Sequence, residues 1–221
     1  MKAACDLPGP LRIALIASGT YFSSWTKDEV DPLANRLPEG DVVDIYELAD
    51  RQLDGYRCMF IDHMADQEFL YRHKDVIWNY LQGGNVVVFC GHQCLPWLPG
   101  AGLFVPLERG GVKDFKIKLM GTTPHPIFST VSAEELTYRK GVAGFFARGY
   151  HPAPSEAEVL ITLPGDAPVT YIDRRSTNGT LLVHAGGALW GQGEPMDKVR
   201  EQLLHWLADE CVRIDERGQQ E

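Results

Sequence analysis

Cys90, in the run Cys90-Gly91-His92-Gln93-Cys94, closes an apolar stretch and meets a glycine, the setting of a strand-to-helix turn. A thiol in such a turn can face helix-terminal N–H groups, which lower its pKa and prepare an oxyanion site. A cysteine nucleophile also needs an imidazole base. His184 ends a later apolar run and would serve if its strand lies beside that of Cys90; His92 and His63 are nearer along the chain. Glu194 or Asp197 can orient that imidazole, or act instead as first-turn acids of a closing helix. The competing reading makes Cys90 a small buried hydrophobe, because free cysteine is among the most buried residue types.

Cys90 and Cys94 fit the upper edge of zinc-ligand spacing, but no second Cys/His pair follows them, so no metal is expected. Gly186-Gly187, with Gly191 and Gly193, matches neither phosphate-loop pattern, and no cofactor is expected. His125 and His151 stand beside prolines in loops and read as structural. Tryptophans on helical stripes, such as Trp78 and Trp206, read as core.

These residues need elements to hold them. Leu11 to Ala17 is a short branched apolar run ending at Ser18-Gly19, which reads as a strand buried on both faces. Thr26 and Glu29 form a capping box for a helix running to about Leu37. Asp41 to Tyr46 and Cys58 to Asp62 read as the next strands, and Phe69, Val76, Ile77, Tyr80 and Leu81 mark one amphipathic helix between Asp66 and Gln82. Gly83-Gly84 ends it, and Asn85 to Cys90 is a fourth buried strand. Strand-helix alternation implies parallel pairing, since parallel neighbours need a connection of helix length. The second half predicts an antiparallel excursion. Val112 to Leu119 alternates as a half-exposed strand, Ser132 and Glu135 form a capping box, and Val159 to Leu163, Val169 to Ile172 and Leu181 to His184 are short strands. Met196, Val199, Leu203, Trp206 and Leu207 mark a closing helix, with a frayed tail after Cys211.

The expected fold is therefore α/β, a flavodoxin-like three-layer sandwich in one domain, with its core at about residues 10–210. Ligands of such sheets bind outside the carboxyl ends of the strands. Ser18, Gly19, Asp62, His63, Gly91, His92, Gln93 and Gly186 all follow strands, and are the expected ligand-binding residues of a cleft shared with Cys90 and His184.

The 221 residues, 44% hydrophobic and 23% charged, are enough for one large core. A net charge of −9 without a basic cluster disfavours nucleic acid. The longest apolar runs fall far below the ~20 residues of a membrane helix, so no membrane partner and a cytoplasmic setting are expected. Five cysteines at irregular spacing read as free thiols. Leu95-Pro96-Trp97-Leu98 suggests an exposed apolar segment, either for self-association as a homo-oligomer or as a lid surface.

Three segments carry a family resemblance: Tyr56 to Asp62, the helix ending Trp78 to Gly84, and Asn85 to Gly91. His125-Pro126-Ile127-Phe128 and the late Gly-rich segment add to it. In their order they resemble the class I glutamine amidotransferase-like superfamily, specifically its ThuA-like branch and the amidotransferase-like domains of some glycosidases. The resemblance spans most of residues 10–210. Amidotransferases of this superfamily carry their nucleophile in Gly-x-Cys-x-Gly. Cys90 has Val88 and His92 at those flanks, and no His-Pro-Glu stands near His184. The resemblance thus implies the fold with a degenerate site. Two functions follow as expectations: a non-catalytic module binding a small polar ligand or a partner protein, or a hydrolase or amidotransferase with Cys90 as nucleophile, His184 as base and Glu194 as orienter.

Overall fold

Branched apolar side chains with no polar alternation favour a strand covered on both faces, and the first run is one: β1, Ile13–Ala17, is buried throughout. The computed structural model describes residues 11–18, 40–108, 112–139, 146–191 and 193–219. Gly19 and the helix expected from Thr26 lie outside them. The remaining strands are β2 (Gly40–Asp44), β3 (Cys58–Ile61), β4 (Val86–Cys90), β5 (Val105–Pro106), β6 (Lys118–Leu119), β7 (Gly149–Tyr150), β8 (Glu158–Leu163), β9 (Ala167–Asp173) and β10 (Thr180–His184). The helices are α1 (Gln67–Arg72), α2 (Lys74–Gln82), α3 (Ala133–Thr137) and α4 (Met196–Gly218).

One sheet runs β2-β1-β3-β4-β10-β9-β8-β6. Its first five strands are parallel, in the flavodoxin-like order, with the switch point between β1 and β3. The antiparallel half begins at β9. A separate ribbon pairs β5 with β7. The sheet is packed on both faces. Alternate residues Leu15, Phe60, Val88 and Leu182 share a core with α4, whereas Ile16, Met59, Val87 and Val183 share one with Leu70, Ile77 and Leu81 of α1 and α2. The expected α/β three-layer architecture is the one observed.

Several elements differ from the sequence expectation. The single helix over 66–82 is two helices, broken at His73, whose backbone leaves the helical region at φ −112° and ψ 26°. Asp66 caps the first of them, accepting from Phe69 N at 3.0 Å. Val112 to Leu119 forms a strand only at Lys118–Leu119, where β8 offers a ladder; Val112–Phe115 is a 3-10 turn. The tail after Cys211 does not fray before Gly218. It stays helical because Ile214 is buried and Asp215 pairs with Arg57 at 2.7 Å. Trp97 and Leu98 are buried rather than exposed, with Trp97 Nε1 donating to Gln67 Oε1, so of that segment only Pro96 is exposed and Leu95 is half-buried. Trp78, by contrast, is 43% exposed on the outer side of α2. The capping box at Ser132 and Glu135 forms as expected.

Candidate functional site: the carboxyl edge of the parallel strands

Parallel strands in register bring their carboxyl ends to one edge. His184 stands opposite Cys90, and Ile61 opposite Phe89, which sets Asp62 one step on, beside Cys90. Side chains in one row of a parallel sheet share a face, so Asp62, Cys90 and His184 all turn toward the α4 side. The next row holds His63, Gly91 and Ala185. Ser18 follows β1 at the same edge. The convergence of remote turns expected from the sequence is therefore present.

Its chemistry differs from that of a thiol-imidazole pair. Cys90 is fully buried in the core around Leu189 and Phe60. Burial pushes its thiol well above the ordinary range; a backbone hydrogen bond from Leu189 acts the other way, and the Asp62 carboxylate makes a smaller upward contribution. His184 is also fully buried, and desolvation pulls its pKa down to about 3, with the imidazoles of His151 and His92 opposing its charge further. Its Nδ1 is taken by Thr170 Oγ1 at 2.8 Å, and its Nε2 has no hydrogen-bond partner among the described residues. Gly186 makes this packing possible: a Cβ there would lie 2.5 Å from His184 Nε2 and 2.3 Å from the Phe146 carbonyl.

Glu194 does not orient His184. Its side chain is 71% exposed and pairs with Lys198 at 3.4 Å in the first turn of α4, and the nitrogen it would hold already has Thr170. Nor is the backbone that of a nucleophile elbow. Gly91 N donates to His184 O at 2.9 Å, so the N–H that an elbow would present to an oxyanion is spent on extending the β4-β10 ladder.

The residues nearer the surface form a second layer. Gly91 has φ 152°, open to glycine, and any Cβ there would meet His63 Cα at 2.7 Å. His63 and His92 are exposed on either side of it. The His92 ring stacks on Phe104 at 3.7 Å; this partial cover, with the neighbouring His151 and His63, lowers its pKa. Gln93 is buried, its Oε1 without a hydrogen-bond partner among the described residues. Asp62 Oδ1 accepts from Met64 N at 2.8 Å and shapes the turn after β3. Gln67 fastens the loop after β4 by donating to His92 O and accepting from Cys94 N.

Sequence reasoning passed over His151 as a loop residue. It is fully buried, with Nε2 2.9 Å from Gly91 O and Nδ1 3.1 Å from Gly102 O. A neutral ring has one N–H to give to these two acceptors; burial nevertheless dominates and holds its pKa down. Only its sequence neighbour Pro152, after a Gly-Tyr strand, hinted at a fixed position. Among the described residues no group of three or more His, Cys, Asp or Glu side chains is placed to hold a metal ion.

No family model matches the sequence, and no curated protein matches it. Solved structures do match the fold. Cytoplasmic protein STM1381 from Salmonella typhimurium LT2 aligns at TM-score 0.55 with 13% identity, covering 92% of this chain and 99% of its own. The mmIFT52 N-terminal domain aligns at 0.55 with 11% identity, over 89% and 97% of the two chains. Cytoplasmic protein STM3548 from Salmonella typhimurium aligns at 0.51 with 13% identity, over 89% and 98%. At these identities the likeness extends to the fold alone. No helix among the described residues is long and apolar enough to cross a membrane.

Proposed function

We propose that this chain is a non-catalytic, amidotransferase-like module that binds a small polar ligand at the carboxyl edge of its parallel strands. The observation that carries the reading is the hydrogen bond from Gly91 N to His184 O. It keeps Cys90 inside a regular ladder, where its thiol is desolvated and its adjacent N–H is unavailable to an oxyanion. The flanks Val88 and His92, which replace the small residues of a strained elbow, agree with it. The exposed imidazoles of His63 and His92, the close-approach glycine between them and the unpartnered Gln93 Oε1 supply donors and acceptors for the ligand.

The test has two arms. Incubation with L-glutamine at neutral pH should release no ammonia above buffer, and Cys90→Ala should leave that result unchanged. In the same buffer, a panel of small carboxylates, amides and sugars should shift backbone amide resonances at Asp62 to Met64 and Gly91 to Gln93. Ammonia release abolished by Cys90→Ala would replace this reading with the hydrolase; shifts confined to other regions would remove the edge as the binding site.

A further inference from the structure

At the opposite edge of the sheet two thiols meet. Cys58 opens β3, Cys211 lies on α4, and their sulfur atoms are 3.8 Å apart in hydrogen-bond contact although 153 residues separate them. Cys58 is fully buried and Cys211 is 8% exposed. Arg57 stands over the pair. Its Nη2 holds Asp215 at 2.7 Å, while its buried Nε has no hydrogen-bond partner among the described residues. Arg57, Ile214 and Asp215 line an open depression with Gln82 to Gly84, giving small solutes a path to this end of α4.

We propose that Cys58 and Cys211 form a hydroperoxide-oxidisable dithiol in which Cys211 is oxidised first and Cys58 resolves it. This goes beyond the ligand-binding reading and does not depend on it. The Cys58 thiol donates to Cys211, and the Arg57 charge and N–H groups favour the Cys211 thiolate, so its pKa is lowered against the cost of burial. Cys58 is held well above the ordinary range by burial and by its hydrogen bond to the Cys211 thiolate, against the pull of the Arg57 charge, and keeps its proton. Arg57 Nε, which has no hydrogen-bond partner among the described residues, is the donor that a thiolate would take up.

The chemistry balances as follows. The Cys211 thiolate attacks one oxygen of a small hydroperoxide; the S–O bond forms, the O–O bond breaks, and the alkoxide or hydroxide leaves and takes a proton from solvent. The Cys58 sulfur then attacks the Cys211 sulfenic sulfur, the S–S bond forms, and the departing hydroxide combines with the Cys58 proton as water. Two thiols are oxidised and one hydroperoxide is reduced. The sulfurs must approach by roughly 1.8 Å to reach the ~2.05 Å of a disulfide, which draws α4 and the start of β3 together.

The experiment treats the full chain with one equivalent of hydrogen peroxide at neutral pH, then maps peptides without reduction. Expected is a Cys58–Cys211 cross-linked peptide with a loss of 2 Da, while Cys90 stays a free thiol and the exposed Cys94 reacts more slowly. In Cys58→Ser, dimedone should trap a sulfenic acid at Cys211. Arg57→Met should slow cross-linking about tenfold, and Arg57→Lys, which keeps the charge, should restore most of the rate. Oxidation of Cys94 with Cys58 and Cys211 still reduced in the unaltered protein would overturn the proposal. So would equal rates in Arg57→Met and the unaltered protein. The first measurement needs no variant and decides even if one fails to fold.

Discussion

The two ends of the same strands treat similar side chains in opposite ways. At the carboxyl edge, Cys90 and His184 close β4 and β10 with no cation paired to the thiol, and burial holds both uncharged. At the amino edge, Cys58 and Thr180 open β3 and β10 among ions. Arg57 pairs with Asp215, and buried Glu210 gathers Arg174, Arg213 and the Thr180 hydroxyl. Those donors hold its carboxyl down at about 2 against the cost of burial, which alone would raise it. The lesson is that burial decides the charge of a side chain where no oppositely charged partner is supplied: His151 keeps two carbonyl acceptors and its pKa is still held down, whereas Glu210 is held charged by its arginines. A position at the mouth of the sheet does not lower the Cys90 thiol, whereas at the amino edge the Cys58 hydrogen bond, with the Arg57 charge behind it, lowers that of Cys211.

The largest effect that would break this contrast is at Glu210. Glu210→Ala leaves the Arg174 and Arg213 guanidinium groups without their shared acceptor, and should cost about 3–5 kcal/mol in urea unfolding. A loss under about 1 kcal/mol would show that the amino edge does not rely on its ions.

Next comes the acid response of His184. Its folded pKa of about 3 lies below the ordinary 6.5, so the unfolded chain binds a proton first as pH falls. Stability is fully present above about pH 6.5 and is lost toward pH 3, at about 1.4 kcal/mol per pH unit. Glu210, with its pKa also lowered, contributes in the same direction but only from about pH 4.5 down to about 2. Urea midpoints at pH 7, 5.5 and 4.5 should therefore fall in the unaltered protein and fall less steeply in His184→Gln, where buried His151 still contributes in the same direction. An unchanged slope in that variant would assign the acid response elsewhere.

The smallest effect is at Glu194. Because its pair with Lys198 is exposed, Glu194→Ala should change stability by at most about 0.5 kcal/mol and leave the His184 ring nitrogen resonances where they were. A shift in those resonances would restore Glu194 as an orienter.

The parallel half was legible because β1, β3 and β4 are continuous apolar runs between turn residues, a pattern that burial on both faces imposes. That β10 lies beside β4 was only a condition for pairing His184 with Cys90, and the structure supplies it. Less was readable where tertiary contacts override local pattern. The break at His73 interrupts an otherwise sound helical stripe. Val112 to Leu119 alternates like a strand, yet only two of its residues find a ladder. Trp97 reads as exposed until Gln67, 30 residues away, is seen to accept from its indole. At the site, Asp62, Cys90 and His184 were correctly gathered at one edge, but their depth below the surface was invisible in the sequence. The Cys58–Cys211 contact was equally hidden, because sequence spacing carries no information about a pair joined through the sheet.

The contrast between the edges is tested most directly by the rate at which each cysteine reacts with iodoacetamide between pH 6 and 9, followed by mass mapping in the folded protein. Cys90 should remain unmodified throughout this range, and Cys211 should react with a pH midpoint below that of free cysteine. Rapid modification of Cys90 at neutral pH, lost in His184→Gln, would contradict it.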